Sequence, residues 1–134
     1  MFGMELNYLA IVVSAVAGMV IGGLWYSPLL FGKAWMKLVE MPKEGFGDPK
    51  KAYVISTLLS LVQATAIAVA IHWAGATTLA AGAHVGLVVG LGFVATTMGM
   101  GALFSGTPFK LYLINAGQPV VTYIAMGVII AAWR

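Results

Sequence analysis

The sequence predicts an all-α integral membrane protein, an antiparallel bundle of four transmembrane helices with a short interfacial amphipathic helix after the first span. Of the 134 residues, 61% are hydrophobic and 8% are charged, and the mean hydropathy is +0.98. Soluble domains carry about a quarter charged residues, and a chain this short has too much surface to hide so many apolar side chains in its own core. Lipid is therefore expected to surround a single membrane domain of residues 1–134.

Four segments are predicted to span the bilayer, which takes roughly 20 mostly apolar residues in a helix. They cover residues 6–26, 52–74, 82–104 and 111–133, and none contains Asp, Glu, Lys or Arg. The short second and third connections predict antiparallel neighbours. No Lys or Arg precedes the first span, so it is expected to be retained rather than cleaved as a signal peptide.

Lysines mark one side of the predicted bundle. The first connection contains five lysines and the third contains Lys110, whereas the opposite side has only Arg134. Because cytoplasmic loops carry the excess of Lys and Arg, we expect these two connections in the cytoplasm and both termini outside, in a bacterial inner membrane. The lysines are not interleaved with aromatic residues as in a nucleic-acid site, so membrane lipid is the expected partner and nucleic acid is not.

A corner is predicted directly after the first span, in the stretch WYSPLLFGKAW. Its candidate residues are Trp25, Tyr26, Ser27, Pro28, Phe31 and Trp35. The first two rings are expected among lipid headgroups, and a serine followed by a proline indicates a helix start. Phe31 and Trp35 then share a face opposite Lys33, Lys37 and Glu40, which predicts an interfacial helix over residues 28–41. Two interpretations stay open: a corner that only holds the bundle at its depth, or a ligand pocket at the cytoplasmic mouth.

Two long stretches carry a resemblance to a known family: NYLAIVVSAVAGMVIGGLWYSPLLFGKAW and PFKLYLINAGQPVVTYIAMGVIIAAW. They resemble the bacterial membrane family catalogued as domain of unknown function 1761, over essentially the whole chain. The more specific parts are residues 25–28 with Trp35, and residues 113–117 with Trp133. The resemblance implies this membrane architecture and implies no activity.

Small residues recur at intervals of four along three spans. The helix-packing candidates are Ser14, Gly18 and Gly22 on the first span and Gly82, Gly86 and Gly90 on the third. The second span carries a similar stripe of Ser56, Ser60, Ala64 and Ala68. In lipid, helices associate through close contact at such positions. Either these stripes only close the bundle, or at least one of them, most of all the stripe on the third span, faces a second copy. Because a 14 kDa bundle has little interior of its own, we expect a homo-oligomer.

Polar side chains inside the spans form a candidate seam. Its members are Gln63, Thr97, Asn115, Gln118 and Thr122. The last three share one face of the fourth span beside Pro119, which lacks the N–H that would bond to the carbonyl of Asn115. Intramembrane polar groups are costly enough to be functional candidates, but they also form hydrogen bonds that only hold helices together. The seam is therefore either a path or a set of interhelical contacts.

No enzymatic activity, cofactor or metal is predicted. The chain has no cysteine, lacks the GxSxG, GxxxxGK and HExxH motifs, and has no paired carboxylates inside a span. His72 and His84 flank the short outer turn and Glu5 begins the first span, so these three residues are weak metal candidates only.

Two functions follow from these patterns. The first is a small homo-oligomeric conduit or transporter for a neutral or weakly polar solute, which uses the polar seam. The second is a structural or accessory membrane subunit that organises partners or lipid through its glycine stripes and its amphipathic helix. A conduit requires the polar side chains to face a wet path, whereas an accessory subunit would close them by mutual hydrogen bonds.

Overall fold

The computed structural model describes residues 5–39 and 47–133, and all the regular structure in these ranges is helical. In chain order the helices are α1 (Tyr8–Trp25), α2 (Gly32–Leu38), α3 (Pro49–Ala74), α4 (Leu79–Val89), α5 (Thr96–Ser105) and α6 (Phe109–Ala132), and a π-helical segment, Gly90–Ala95, joins α4 to α5. With α4, the π segment and α5 taken as one helix, the described residues contain four helices long and apolar enough to span a membrane. The predicted all-α class with four such helices is confirmed.

Local sequence signals account for the ends of the long helices. The side-chain oxygens of Asn7, Asp48 and Thr78 accept hydrogen bonds from backbone N–H groups at the starts of α1, α3 and α4, which satisfies donors that have no partner inside the helix. Gly75 and Gly106 end α3 and α5 with φ of +67° and +69°, a left-handed conformation that glycine adopts without steric cost.

Helix α1 lies along α6 and contacts it near both of its ends. The Asn7 side chain donates to the carbonyl of Trp133 at 2.9 Å, and the Trp25 indole donates to the carbonyl of Ile114 at 2.8 Å. Residue numbers along α6 therefore decrease where those along α1 increase, so the two helices are antiparallel to each other. We call the end with Trp25 the lysine end, since it also carries the start of α3 and Lys110.

The apolar core lies where α1, α3, α4 and α6 meet, in the half of the bundle farther from the lysine end. Ile71 and Met126 are its largest fully buried hydrophobic side chains, and Ala10, Ala64 and Ile67 belong to the same buried cluster. These buried side chains, all from one chain, fill the interior of that half of the bundle.

The two glycine-containing stripes face other helices of the same chain. A Cβ at Gly82 or Gly86 would overlap the backbone of α6 at Gly127 or Tyr123, and one at Gly90 would lie 2.8 Å from the Cα of Val120. On α1, a Cβ at Gly18 would lie 2.8 Å from the Met126 methyl carbon. Gly22 faces the Gln118 amide, and Ser14 is fully buried. These positions therefore face their own bundle, and Gly22 among them is only half-buried.

Two features differ from the sequence expectations. The helix predicted over residues 28–41 begins only at Gly32 and ends at Leu38, while residues 40 and 41 lie outside the described part of the chain. Ser27 does not cap it: its hydroxyl donates back to the carbonyl of Leu24 at 2.7 Å, and residues 28–31 form turns. The second feature is the π segment, which interrupts the span predicted over residues 82–104.

Candidate functional site

The corner after α1 is fastened to the first half of α6. The indole of Trp25, which donates to the carbonyl of Ile114, also lies on Gly117, where a Cβ would come within 2.9 Å of the ring. The hydroxyl of Tyr26 donates to the side-chain oxygen of Asn115 at 3.0 Å. The WYSP stretch and the INAG stretch, 89 positions apart in the chain, therefore form one structural unit.

Aromatic contacts and a buried glycine hold α2 against the end of α1. The rings of Phe31 and Trp25 have centroids 4.6 Å apart, and Tyr26 meets Trp35 edge-on at 5.9 Å. A Cβ at Gly32 would overlap the carbonyl oxygen of Tyr26. Since that neighbour is backbone and cannot turn aside, α2 can approach this closely only with glycine at position 32.

A cavity of about 1080 Å³ lies between the corner, α2 and the start of α3. We call it the corner cavity. Its polar and charged lining comes from all three elements and from α6: Tyr26, Lys33, Lys37, Tyr53, Ser56 and Asn115. Trp35, Met36 and Val39 add apolar surface. Pro28, a corner candidate, lines it as well.

A second cavity, of about 510 Å³, continues from the corner cavity between α1, α3 and α6. We call it the polar groove. Its polar lining consists of Tyr26, Tyr53, Ser56, Ser60, Gln63, Gln118 and Thr122, and glycines of α1 form the facing wall. Tyr26, Tyr53 and Ser56 line both cavities, so the two spaces adjoin.

Hydrogen bonds join some of the polar side chains in the groove. The Gln118 amide donates to the Thr122 hydroxyl at 2.9 Å, and the Gln63 amide donates to the Tyr123 hydroxyl at 2.7 Å. Ser60 donates to the carbonyl of Ala15 at 2.9 Å. Each amide keeps its carbonyl oxygen as a further acceptor, so the groove still has polar capacity for a ligand.

The groove is closed toward the core and open sideways. At its inner end Gly18 packs against Met126 and Thr122, and the buried apolar side chains of the core follow. At its side, Tyr53, Ser56 and Gln63 of α3 are exposed. As formed by the described residues, the groove is therefore a lateral cleft in the lysine-end half and does not pass through the bundle.

Three of the five seam candidates come together in this groove: Gln63, Gln118 and Thr122. Asn115 lies in the corner cavity instead, bonded to Tyr26. Thr97 is exposed on α5 and lines neither cavity. The helical period correctly placed Gln118 and Thr122 on one face of α6. It could not show which way Thr97 faces on α5, after the π segment.

Sequence reasoning missed Tyr53, and it assigned Ser56 and Ser60 to a packing stripe. A signal was present, because Ser56, Ser60 and Gln63 follow the spacing i, i+4 and i+7 and so share one face of α3. That polar face is the outer wall of the groove.

The hydroxyl of Ser14 on α1 is buried and has no hydrogen-bond partner among the described residues.

The weak metal candidates do not form a cluster. His72 meets the backbone carbonyl of Glu5 at 2.7 Å rather than its carboxylate, and His84 is exposed on α4. Within residues 5–39 and 47–133 no group of three metal-binding side chains is present.

Comparison with known proteins assigns the chain to a family. A family model matches residues 9–131, which is 123 of the 134 residues, and its description is a protein of unknown function, DUF1761. Searches of curated proteins and of solved structures found no match. The match includes both stretches that meet at the corner. The chain belongs to the DUF1761 family.

Proposed function

We propose that the protein is a small inner-membrane conduit for a neutral or weakly polar solute, and that several copies assemble to form it. The observation that carries the proposal is the polar groove, which is lined by amides and hydroxyls and opens sideways on a membrane-spanning helix. A polar surface facing hydrocarbon is unfavourable. A solute or a second copy that covers the groove would remove that cost.

The chemistry of the lining favours an uncharged solute. Ser56, Ser60, Gln63 and Gln118 offer donors and acceptors without a formal charge, and the groove lining within residues 5–39 and 47–133 contains no Asp, Glu, Lys, Arg or His. Largely apolar sites with a few placed polar groups are typical for small molecules. Among the described lining residues no nucleophile is paired with a general base, and we propose no enzymatic reaction.

The need for more than one copy follows from where the groove ends. In one chain the path stops at Met126, and buried side chains fill the half beyond it. A second copy seated against the exposed face of α3 would cover Gln63 and continue the path between subunits. The oligomer would therefore use α3, since the glycines of α4 are already packed on α6.

Flux measurements on purified protein in liposomes test the conduit. We use glycerol as the probe and measure its entry by stopped-flow light scattering. Gln63→Leu with Gln118→Leu should reduce the protein-dependent glycerol permeability at least tenfold, because both amides of the groove are lost. The matched control is Thr97→Val, which removes a polar side chain outside the groove and should leave flux unchanged. Wild-type permeability no higher than that of empty liposomes would reject glycerol-type conduction.

The proposed orientation places the lysine end in the cytoplasm and both termini outside. The chain contains no cysteine, so single cysteines can be introduced one at a time. With intact bacterial cells, a membrane-impermeant maleimide should label Thr77→Cys in the outer turn and should not label Lys110→Cys. The reverse pattern would overturn the orientation while leaving the groove proposal standing.

A second candidate function is a structural or accessory subunit. The hydrogen bonds from Gln118 to Thr122 and from Gln63 to Tyr123 favour it, because mutual pairing is the state expected of polar groups that only join helices. Under this alternative the Gln63→Leu and Gln118→Leu changes would lower the free energy of unfolding and would have no flux to remove. Wild-type flux therefore distinguishes the two functions.

A further inference from the structure

The corner cavity has a basic rim. Lys33 and Lys37 stand one helical turn apart on α2 and both line it. No carboxylate of residues 5–39 or 47–133 lines the cavity or forms an ion pair with either lysine. Tyr26, Ser56 and Asn115 add polar groups at the same site. This combination can hold an anionic group with hydrogen-bonding oxygens.

An apolar groove leads away from this rim along the outer face of the bundle. It has a volume of about 530 Å³, lies between α1 and α3, and is lined chiefly by Val12, Val16, Met19, Val20 and Leu61. Tyr53 lines both this groove and the corner cavity. Val12, Val16 and Val20 are spaced by four, so they form a straight strip about 12 Å long from the corner toward the middle of the span.

The polarity therefore changes along one continuous surface, from two lysines to a strip of valines. We propose that this surface binds one anionic phospholipid, with its phosphate at Lys33 and Lys37 and an acyl chain along the apolar groove. Basic pockets beside membrane helices recognise anionic headgroups in this way. The site adjoins the polar groove at Tyr26, Tyr53 and Ser56, but the lipid proposal does not depend on the conduit.

The arrangement favours a lipid over other anions. A free phosphate would use only the lysines and would leave the apolar groove without a role. Trp and Tyr are enriched where membrane helices meet the headgroup region, and Trp25, Tyr26 and Trp35 lie together at this end of the bundle. A phospholipid satisfies the basic rim and the apolar strip together, in the same order along the span.

Binding is measured on the purified full-length chain in mild detergent. Native mass spectrometry counts the phosphatidylglycerol and the phosphatidylcholine retained when both are supplied at equal concentration. The wild type should retain one phosphatidylglycerol in preference to phosphatidylcholine. Lys33→Gln with Lys37→Gln should lower that affinity about 30-fold, since each lysine near a membrane surface adds about 1 kcal/mol of attraction for anionic lipid.

The matched control for charge is Lys50→Gln with Lys51→Gln, which removes two lysines of the same end that do not line the cavity. This control should keep the lipid preference. An equal loss in both double variants would overturn the proposal, because it would show attraction to the lysine end in general.

A second pair of variants tests the acyl chain. Val16→Trp fills the apolar groove and should lower phosphatidylglycerol retention, whereas Leu9→Trp, at a similarly exposed position of α1 (60% against 57%), should not. Inorganic phosphate at millimolar concentration is the third arm and should not displace the lipid. Displacement by phosphate, or full retention in Val16→Trp, would show a site for the anion alone and overturn the lipid assignment.

Discussion

The two halves of the third span differ sharply, although both are rich in glycine. In α4, Gly82 and Gly86 lie so close to α6 that no side chain fits between the helices. In α5 no residue is buried, and Phe104 is 93% exposed. One half is thus part of the bundle, while the other half presents its side chains to the surroundings.

The π segment between the halves accounts for the difference. A π segment adds a residue to a helical turn, and one extra residue rotates everything after it by about 100° relative to a continuous α-helix. The glycine stripe at intervals of four ends at Gly90, where that segment begins. A stripe of small residues therefore indicates a helix contact only as far as the helical register continues.

A single tyrosine provides a hydrogen bond from α6 to the end of the π segment. The Tyr112 hydroxyl donates to the carbonyl of Ala95 at 2.7 Å. Its ring lies over Gly99, where a Cβ would come within 3.0 Å of the hydroxyl oxygen. Gly101, two residues on, faces open space. Within α5, Gly99 thus contacts α6 whereas Gly101 contacts no other described helix.

The largest expected effect is at α4. Gly86→Leu should lower the free energy of unfolding by more than about 3 kcal/mol, because the new side chain meets the backbone of α6, which cannot yield. The measurement is an SDS titration followed by far-ultraviolet circular dichroism. Gly101→Leu is the matched control and should change the free energy of unfolding by less than about 0.5 kcal/mol. Equal effects of the two variants would contradict the contrast between the halves.

An intermediate effect is expected where α6 holds the π segment. Tyr112→Phe removes one hydrogen bond and keeps the ring over Gly99, so it should cost about 1 kcal/mol of unfolding free energy. Tyr8→Phe, at a residue that is 71% exposed, is the control. Hydrogen exchange of the amides after Ala95 should also become faster in Tyr112→Phe alone; unchanged exchange would mean that the tyrosine does not restrain α5.

The smallest effect is expected on the exposed half. Phe104→Ala should alter the unfolding free energy of a single chain by less than about 0.5 kcal/mol, because the ring contacts little of its own bundle. The same SDS titration at low protein concentration measures this. If Phe104→Ala instead lowered the unfolding free energy by more than this at high protein concentration and not at low concentration, α5 would contact a second copy. The proposed interface would then move from α3 to α5.

Much of the fold could be predicted from hydropathy and local signals. The apolar segments gave the four spans, and the positions of Asn7, Asp48 and Gly75 agree with ordinary capping preferences. The π segment could not be predicted, because its six residues read as a continuous helix. The start of α2 at Gly32 also escaped prediction, since the serine before Pro28 turns back to α1 instead of capping a new helix.

The candidate site was predicted only in part for a similar reason. Spacing along α6 put Gln118 and Thr122 on one face, and the structure places both in the polar groove. Spacing within one helix carries no information about its neighbours, so it could not show that Trp25 reaches Ile114 or that Thr97 faces away. The partner of a helical face depends on how the helices pack.

The bond between Trp25 and Ile114 has a consequence for biosynthesis. At a translation rate of roughly 5–20 residues per second, the 89 residues from Tyr26 through Ile114 take about 4–18 s to synthesise. During that interval the first helix has no α6 to receive its indole N–H or to cover Gly18 and Gly22. The final position of α1 in the bundle is therefore set only after α6 has been synthesised. In a nascent chain that stops before residue 114, the Trp25 indole lacks its acceptor on α6.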